Sequence, residues 1–262
     1  VDVVIFAGGI SPALEGEEMP VDAAGFRGGD RTEIELPAVQ RRVVEALKTA
    51  GKRIVFVNFS GAAIALEPES LNCEAILQAW YPGQAGGQAV AEVLFGDYNP
   101  AGKLPLTFYR NLAQIPDFED YNMTGRTYRY MKETPLFPFG HGLSYTTFKY
   151  GDMQLSAKEI NKNENLTVSF TVENTGKMRG TEICQLYLTD KVSSVSLPGK
   201  ALKGFSRVEL APGEKKTVEI VLTPEHFSLI NADMQRVVEP GLFEISVGPS
   251  SATIELKGEV TV

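Results

Sequence analysis

The hydrophobic pattern of this chain changes period once, near Gly151, so no single layer of structure satisfies both halves. Before that point, short apolar runs alternate with segments of helical spacing. Val1 to Ala7 is an apolar run closed by Gly8-Gly9; Arg53 to Asn58 is a second, and Ala75 to Trp80 a third. Pro37 opens a helix whose apolar positions Val39, Val43, Val44 and Leu47 recur at helical spacing, and Gly51 stops it. A small-residue helix from Gly87 to Phe95 is closed by Gly96. Strands alternating with helices predict a three-layer α/β sandwich with a mainly parallel sheet.

After Gly151 the period drops to two. Leu166 to Val172 alternates cleanly, and Cys184 to Leu188, Thr217 to Leu222, Phe243 to Val247 and Thr253 to Leu256 repeat the theme. The turns Asn174-Thr-Gly176, Ala211-Pro-Gly213 and Glu239-Pro-Gly241 separate them. This predicts an all-β, immunoglobulin-like sandwich. Between the two patterns, Pro100 to Tyr150 is rich in Pro, Gly and aromatic residues, which reads as an ordered connector held by aromatic packing. The expected divisions are residues 1–125, 126–150 and 151–262.

Composition narrows the classes of function. With 43% hydrophobic and 22% charged residues over 262 positions, the chain is globular in type. Its net charge of -8 argues against nucleic acid or an anionic membrane surface as a partner. No apolar run approaches the ~18 residues that span a bilayer. The opening Val1-Asp2-Val3-Val4-Ile5-Phe6 reads as a core strand without a leader, so the chain is expected to be a piece of a longer protein. Cys73 and Cys184 fall in different halves and read as two buried thiols.

Candidate chemistry sits on one loop. Leu14-Glu-Gly-Glu-Glu-Met19 places three carboxylates within four residues, and the loop ends in Gly28-Gly-Asp-Arg31. It leaves the carboxyl end of the first strand, where open α/β sheets bind ligands. Glycosidic bond cleavage commonly uses two carboxyl groups flanking the bond, and clustering is one way to raise a carboxyl pKa far enough to hold a proton. On composition alone, the same run reads first as an acidic surface loop. The EF-hand order is absent. Gly8-Gly9 lacks the G-x-G-x-x-G pattern and no P-loop lysine follows. His141 and His226 have no nucleophile motif beside them. Trp80-Tyr-Pro-Gly83 reads as core or as a sugar-stacking surface.

Three longer strings carry a resemblance. Glu92-Val-Leu-Phe-Gly-Asp-Tyr-Asn-Pro-Ala-Gly-Lys-Leu-Pro-Leu106, Pro135-Leu-Phe-Pro-Phe-Gly-His-Gly-Leu-Ser-Tyr-Thr-Thr-Phe148, and Trp80-Tyr-Pro-Gly83 with the Gly86-Gly87 helix resemble glycoside hydrolase family 3, in the family's order. The resemblance covers nearly the whole chain. It implies most of an α/β sandwich domain followed by a fibronectin type III-like domain. The amino-terminal barrel and its nucleophilic aspartate are missing, so the chain alone is expected to be inactive.

By this resemblance Glu17 is the general acid/base, counted from Gly9, and Glu15 is the runner-up because some members show a Glu-Gly pair. Met19 and Phe26 are expected on the aglycone side as substrate-binding residues. Asp30 and Arg31 are expected to shape the loop, which Pro20 to Gly28 lengthens. The parent would be a retaining exo-acting β-glucosidase or β-xylosidase. Its partners would be an oligosaccharide or aryl β-glycoside and its own barrel domain, with no nucleic acid and no membrane; the resemblance leaves room for a homo-oligomer. It calls for no metal and no cofactor, and places the parent in the periplasm or outside the cell. The rival expectations are a non-catalytic carbohydrate-binding or scaffolding module and, behind it, a nucleotide-binding α/β domain.

Overall fold

The structure, a computed structural model, describes every residue of 1–262 except Glu17, Glu18 and Gly29. The chain forms two compact units. The first comprises Val1–Phe95, Thr107–Gly125 and Lys132–Phe137; the second comprises Gly96–Leu106, Arg126–Met131 and Pro138–Val262.

In the first unit the elements run β1 (Val3–Gly9), α1 (Pro12–Glu15), β2 (Phe26–Arg27), β3 (Asp30–Arg31), α2 (Ala38–Thr49), β4 (Arg53–Phe59), α3 (Glu67–Asn72), β5 (Ala75–Gln78) and α4 (Gly86–Phe95). β1, β4 and β5 form a parallel sheet in that order, with Val3 opposite Arg53 and Val55 opposite Ala75. The central strand β4 buries Ile54, Phe56 and Val57, the continuous apolar run that a parallel strand covered on both faces requires. Ile10, Leu36, Phe56, Ile64 and Leu66 make the core. Helix α2 follows Pro37 as expected and stops at Gly51, whose φ of 70° is the left-handed conformation glycine reaches without strain. Gly8 and Gly9 serve close packing. A Cβ on Gly8 would lie 2.5 Å from Gln40 Oε1, and one on Gly9 would clash with the backbone of Phe59.

In the second unit, α5 (Thr127–Tyr130) precedes β6 (Phe148–Leu155), β7 (Leu166–Asn174), β8 (Gly180–Asp190), β9 (Ala201–Leu210) and β10 (Lys215–Leu222). Then come α6 (Pro224–Phe227), β11 (Leu229–Ile230), β12 (Arg236–Val237), β13 (Leu242–Gly248) and β14 (Leu256–Thr261). One antiparallel sheet has the order β10-β7-β6 and the other β14-β13-β8-β9. Alternate residues of both meet in one core: Leu166, Val168, Phe170 and Val172 from β7 pack with Cys184, Leu186 and Leu188 from β8. Two such sheets over one core are the expected β-sandwich. Connector aromatics pack in each unit: Phe108 against Phe137 in the first, Tyr128 stacked on Phe139 in the second. Both cysteines are free; Cys184 is buried as expected, whereas Cys73, just past α3, is only partly buried.

One expected strand is displaced. Thr253 to Leu256 is not a strand; β14 begins only at Leu256. The Thr253 amide is spent closing the preceding turn, bonding Ser250 Oγ at 3.0 Å, so the alternation there marks a turn's exit. Besides the two-residue strands β2, β3, β11 and β12, two long strands lacked a clear sequence signal. β6 is broken by a bulge between Gly151 and Gln154, and β9 is an edge strand that buries only Val208 and Leu210.

Candidate active site

β1, β4 and β5 end together, and the segments leaving them converge. Gln40 of α2 grips the last residue of β1 on both sides, accepting from the Gly9 amide at 2.8 Å and donating to its carbonyl at 2.7 Å. Next to it, Asn58 at the end of β4 donates to Gln78 of β5 at 2.6 Å and to Ser60 at 3.2 Å, and Ser60 donates to the Ala62 carbonyl at 2.8 Å. This buried network sets the strand ends as a rigid floor.

On that floor stands Glu15. It closes α1, a single turn that exists because Pro12 presets its first position, Ser11 Oγ accepts the Leu14 amide, and Gly16 ends it. Its Oε2 accepts a 2.6 Å hydrogen bond from the Tyr81 hydroxyl, which also lies 2.8 Å from the Ile10 carbonyl. Desolvation, and then the hydrogen bond to Glu15, push the Tyr81 hydroxyl up to about 12, so it remains a proton donor at neutral pH. Gly61, just past β4, leaves room for this pair. A Cβ there would sit 2.6 Å from the Tyr81 ring and 3.2 Å from Glu15 Oε2. Tyr81 is aimed by its neighbour: Trp80 has a left-handed φ of 56°, held by an edge-on contact with Phe108.

Arg31 carries the nearby positive charge. Burial draws its guanidinium below the usual value, and the carboxylates of Glu15 and Glu35 together with Tyr81 oppose that. Its Nη1 has one long bond, 3.4 Å to the Ala63 carbonyl, while Nε and Nη2 are buried with no hydrogen-bond partner among the described residues. Arg31 also lines a cavity of about 280 Å³ with Phe26, Glu33, Glu35, Arg41 and Arg42. Arg41 is committed elsewhere, at 2.9 Å to both Glu35 and Glu69.

Of the residues expected from sequence, Glu15 stands in the Tyr81 cluster, Phe26 lines the cavity, and Met19 is exposed. Glu17 lies outside the described residues. The sequence reading missed Tyr81 as the partner of Glu15; its one signal was the Trp80-Tyr-Pro-Gly83 string, weighed there only as core or stacking surface. His226 is a capping residue, its Nδ1 accepting the Thr223 amide at 2.8 Å. No group of three metal-ligating side chains occurs among the described residues, and none of their helices is long and apolar enough to cross a membrane.

Glu15 stands over the carboxyl edge of a parallel sheet, where open α/β sheets commonly bind ligands, and the second unit is an antiparallel β-sandwich. The family model "Glycosyl hydrolase family 3 C-terminal domain" matches residues 1–145, and "Fibronectin type III-like domain" matches residues 182–251. The chain belongs to glycoside hydrolase family 3. It is 52% identical to a xylan 1,4-beta-xylosidase of Xylanibacter ruminicola, over 98% of this chain and 30% of that protein. It is 43% identical to a periplasmic beta-glucosidase of Salmonella typhimurium, over 86% of this chain and 31% of that one. A solved β-glucosidase from Erythrobacter marinus superposes with a TM-score of 0.87 at 41% identity, over 99% of this chain and 34% of the other. The chain thus spans only about a third of the relatives it matches.

Proposed function

We propose that this chain is the carboxyl-terminal portion of a retaining exo-acting β-glycosidase that releases terminal β-linked glucose or xylose. It supplies the general acid/base, and a barrel elsewhere in the parent supplies the nucleophilic aspartate. The observation that supports this is Glu15, held by Tyr81 over the carboxyl edge of the sheet, in a chain whose relatives are named β-xylosidases and β-glucosidases.

Glu17 is the proposed acid/base. Glu15, two residues before it, is already engaged by Tyr81, whereas a residue that gives and takes the reacting proton needs a carboxyl group facing substrate. In this mechanism Glu17 protonates the leaving oxygen as the aspartate attacks, then deprotonates the water that releases the sugar. The two carboxyl groups then stand roughly 5–5.5 Å apart. Phe26 and Met19 are assigned to the aglycone side. The chain by itself is inactive because half of the carboxyl pair lies outside it. The functional divisions are taken at 1–125, 126–150 and 151–262, and the parent is assigned to the periplasm or the cell exterior.

The test uses the full-length parent and aryl β-glucosides and β-xylosides with good and poor leaving groups. Glu17→Gln is expected to lower kcat/KM on poor leaving groups by about 10²–10⁴-fold, with much less effect on good ones. If Glu15→Gln shows that split instead, Glu15 is the acid and the mechanism stands. If neither variant shows it, or if no glycoside is cleaved, the non-catalytic carbohydrate-binding module takes the place of this proposal.

A further inference from the structure

We infer that Tyr81 is a positioning residue for proton transfer: by clasping Glu15 across the ends of the three parallel strands, it fixes where the carboxylate loop presents its proton. This rests on the glycosidase function proposed above.

The geometry is a convergence. The Tyr81 hydroxyl, on the segment leaving β5, meets the Ile10 carbonyl just past β1 and Glu15 of α1, and its ring lies against Gly61 just past β4. A single turn such as α1 cannot hold its own conformation, so its place must be set by tertiary contacts. Among the described residues, the Glu15 carboxylate provides one such contact, to a residue 66 positions away. The positive φ of Trp80 is a strain the surroundings must hold in place, and it aims Tyr81. Core packing does not account for Tyr81, because the residue is 40% exposed. Removing its hydroxyl should therefore cost little stability. It should instead free the loop, and a displacement of ~1 Å at a reacting group costs on the order of 10²-fold in rate.

The experiment is again done on the full-length parent. Tyr81→Phe is expected to reduce kcat/KM for poor leaving groups about 10–100-fold and for good ones less than about 3-fold. Its melting temperature should stay within about 2 °C of wild type. Gly61→Ala, which pushes the ring away, should reproduce the same split without touching the hydroxyl. Glu15→Leu, which removes the acceptor for the Tyr81 hydroxyl, should behave like Tyr81→Phe. The Glu15→Leu/Tyr81→Phe double variant should be no worse than either alone. Equal losses on both classes of leaving group, or no loss in Tyr81→Phe and Gly61→Ala, overturn the inference while leaving the glycosidase in place. A wild-type parent that cleaves neither substrate removes both.

Discussion

The two units treat buried polar groups in opposite ways. In the β-sandwich each of them has its partners. Glu182 receives the Tyr150 hydroxyl at 2.9 Å and Lys103 Nζ at 3.4 Å. Asn174 accepts from Thr146 at 2.6 Å and donates to the carbonyls of Met178 and Leu210. Gln185 bonds Gly140, Pro249 and Tyr187. In the α/β unit, Arg31 Nε, Arg31 Nη2 and Asn58 Oδ1 are buried without partners, and among the described residues such atoms occur only there. An unsatisfied buried donor costs about 1–3 kcal/mol, more when it is charged. Real folds concentrate such unpaired groups where a site needs them, and among the described residues they fall in the unit to which the proposed chemistry is assigned.

Four substitutions would break or sharpen this contrast. Phe170→Ala, in the centre of the sandwich core, should cost about 3–5 kcal/mol in denaturant melts and leave the leaving-group preference of the parent unchanged. Lys103→Met should cost about 3 kcal/mol at neutral pH, because it strands a buried carboxylate. That loss carries a sign in pH. Burial holds the Glu182 carboxyl above its usual range, while Lys103 and Tyr150 oppose the rise. A carboxyl raised in the folded state contributes stability below its unfolded pKa and loses it as pH climbs through the folded value. Without Lys103 that value moves up, so urea midpoints of the variant should fall further below wild type from acidic to neutral pH.

Arg31→Met should be the counterexample. Replacing a half-buried cation, two of whose nitrogens lack partners among the described residues, by an apolar chain is expected to leave stability within about 1 kcal/mol of wild type, or to raise it, while activity of the parent falls. A large destabilisation by Arg31→Met would erase the contrast. The smallest effect belongs to Asp152→Asn. Asp152 is fully exposed; its hydrogen bonds to Lys215 and Thr171 hold its carboxyl below the usual range, so what it contributes is lost as pH falls. Thermal melts at neutral pH should barely move, since exposed pairs are screened by solvent.

Much of this architecture was legible in the sequence, and the physical reasons differ by element. β4 announced itself because a strand buried on both faces is apolar throughout, and β7 because one face alternates perfectly. β9 was silent because an edge strand needs few buried residues. The carboxylate loop was legible as composition, and its anchor was not. Glu15 and Tyr81 meet only because parallel strands bring their carboxyl ends to one edge, a relation that local spacing cannot encode. Gly8-Gly9 carried a faint hint of nucleotide binding, and its actual cause is steric: Gln40 and the Phe59 backbone occupy the space a side chain would need.

The bulge in β6 reaches beyond its own strand. β6, β10, β9 and β14 are the outer strands of the two sandwich sheets, and each carries at least one lysine: Lys149, Lys215 and Lys216, Lys203, and Lys257. Irregular backbone on two borders, β6 and β9, and ammonium groups on all four discourage a passing strand from zipping on. The borders of the sandwich thus offer their surroundings charged side chains in place of a flat, open ladder of backbone groups.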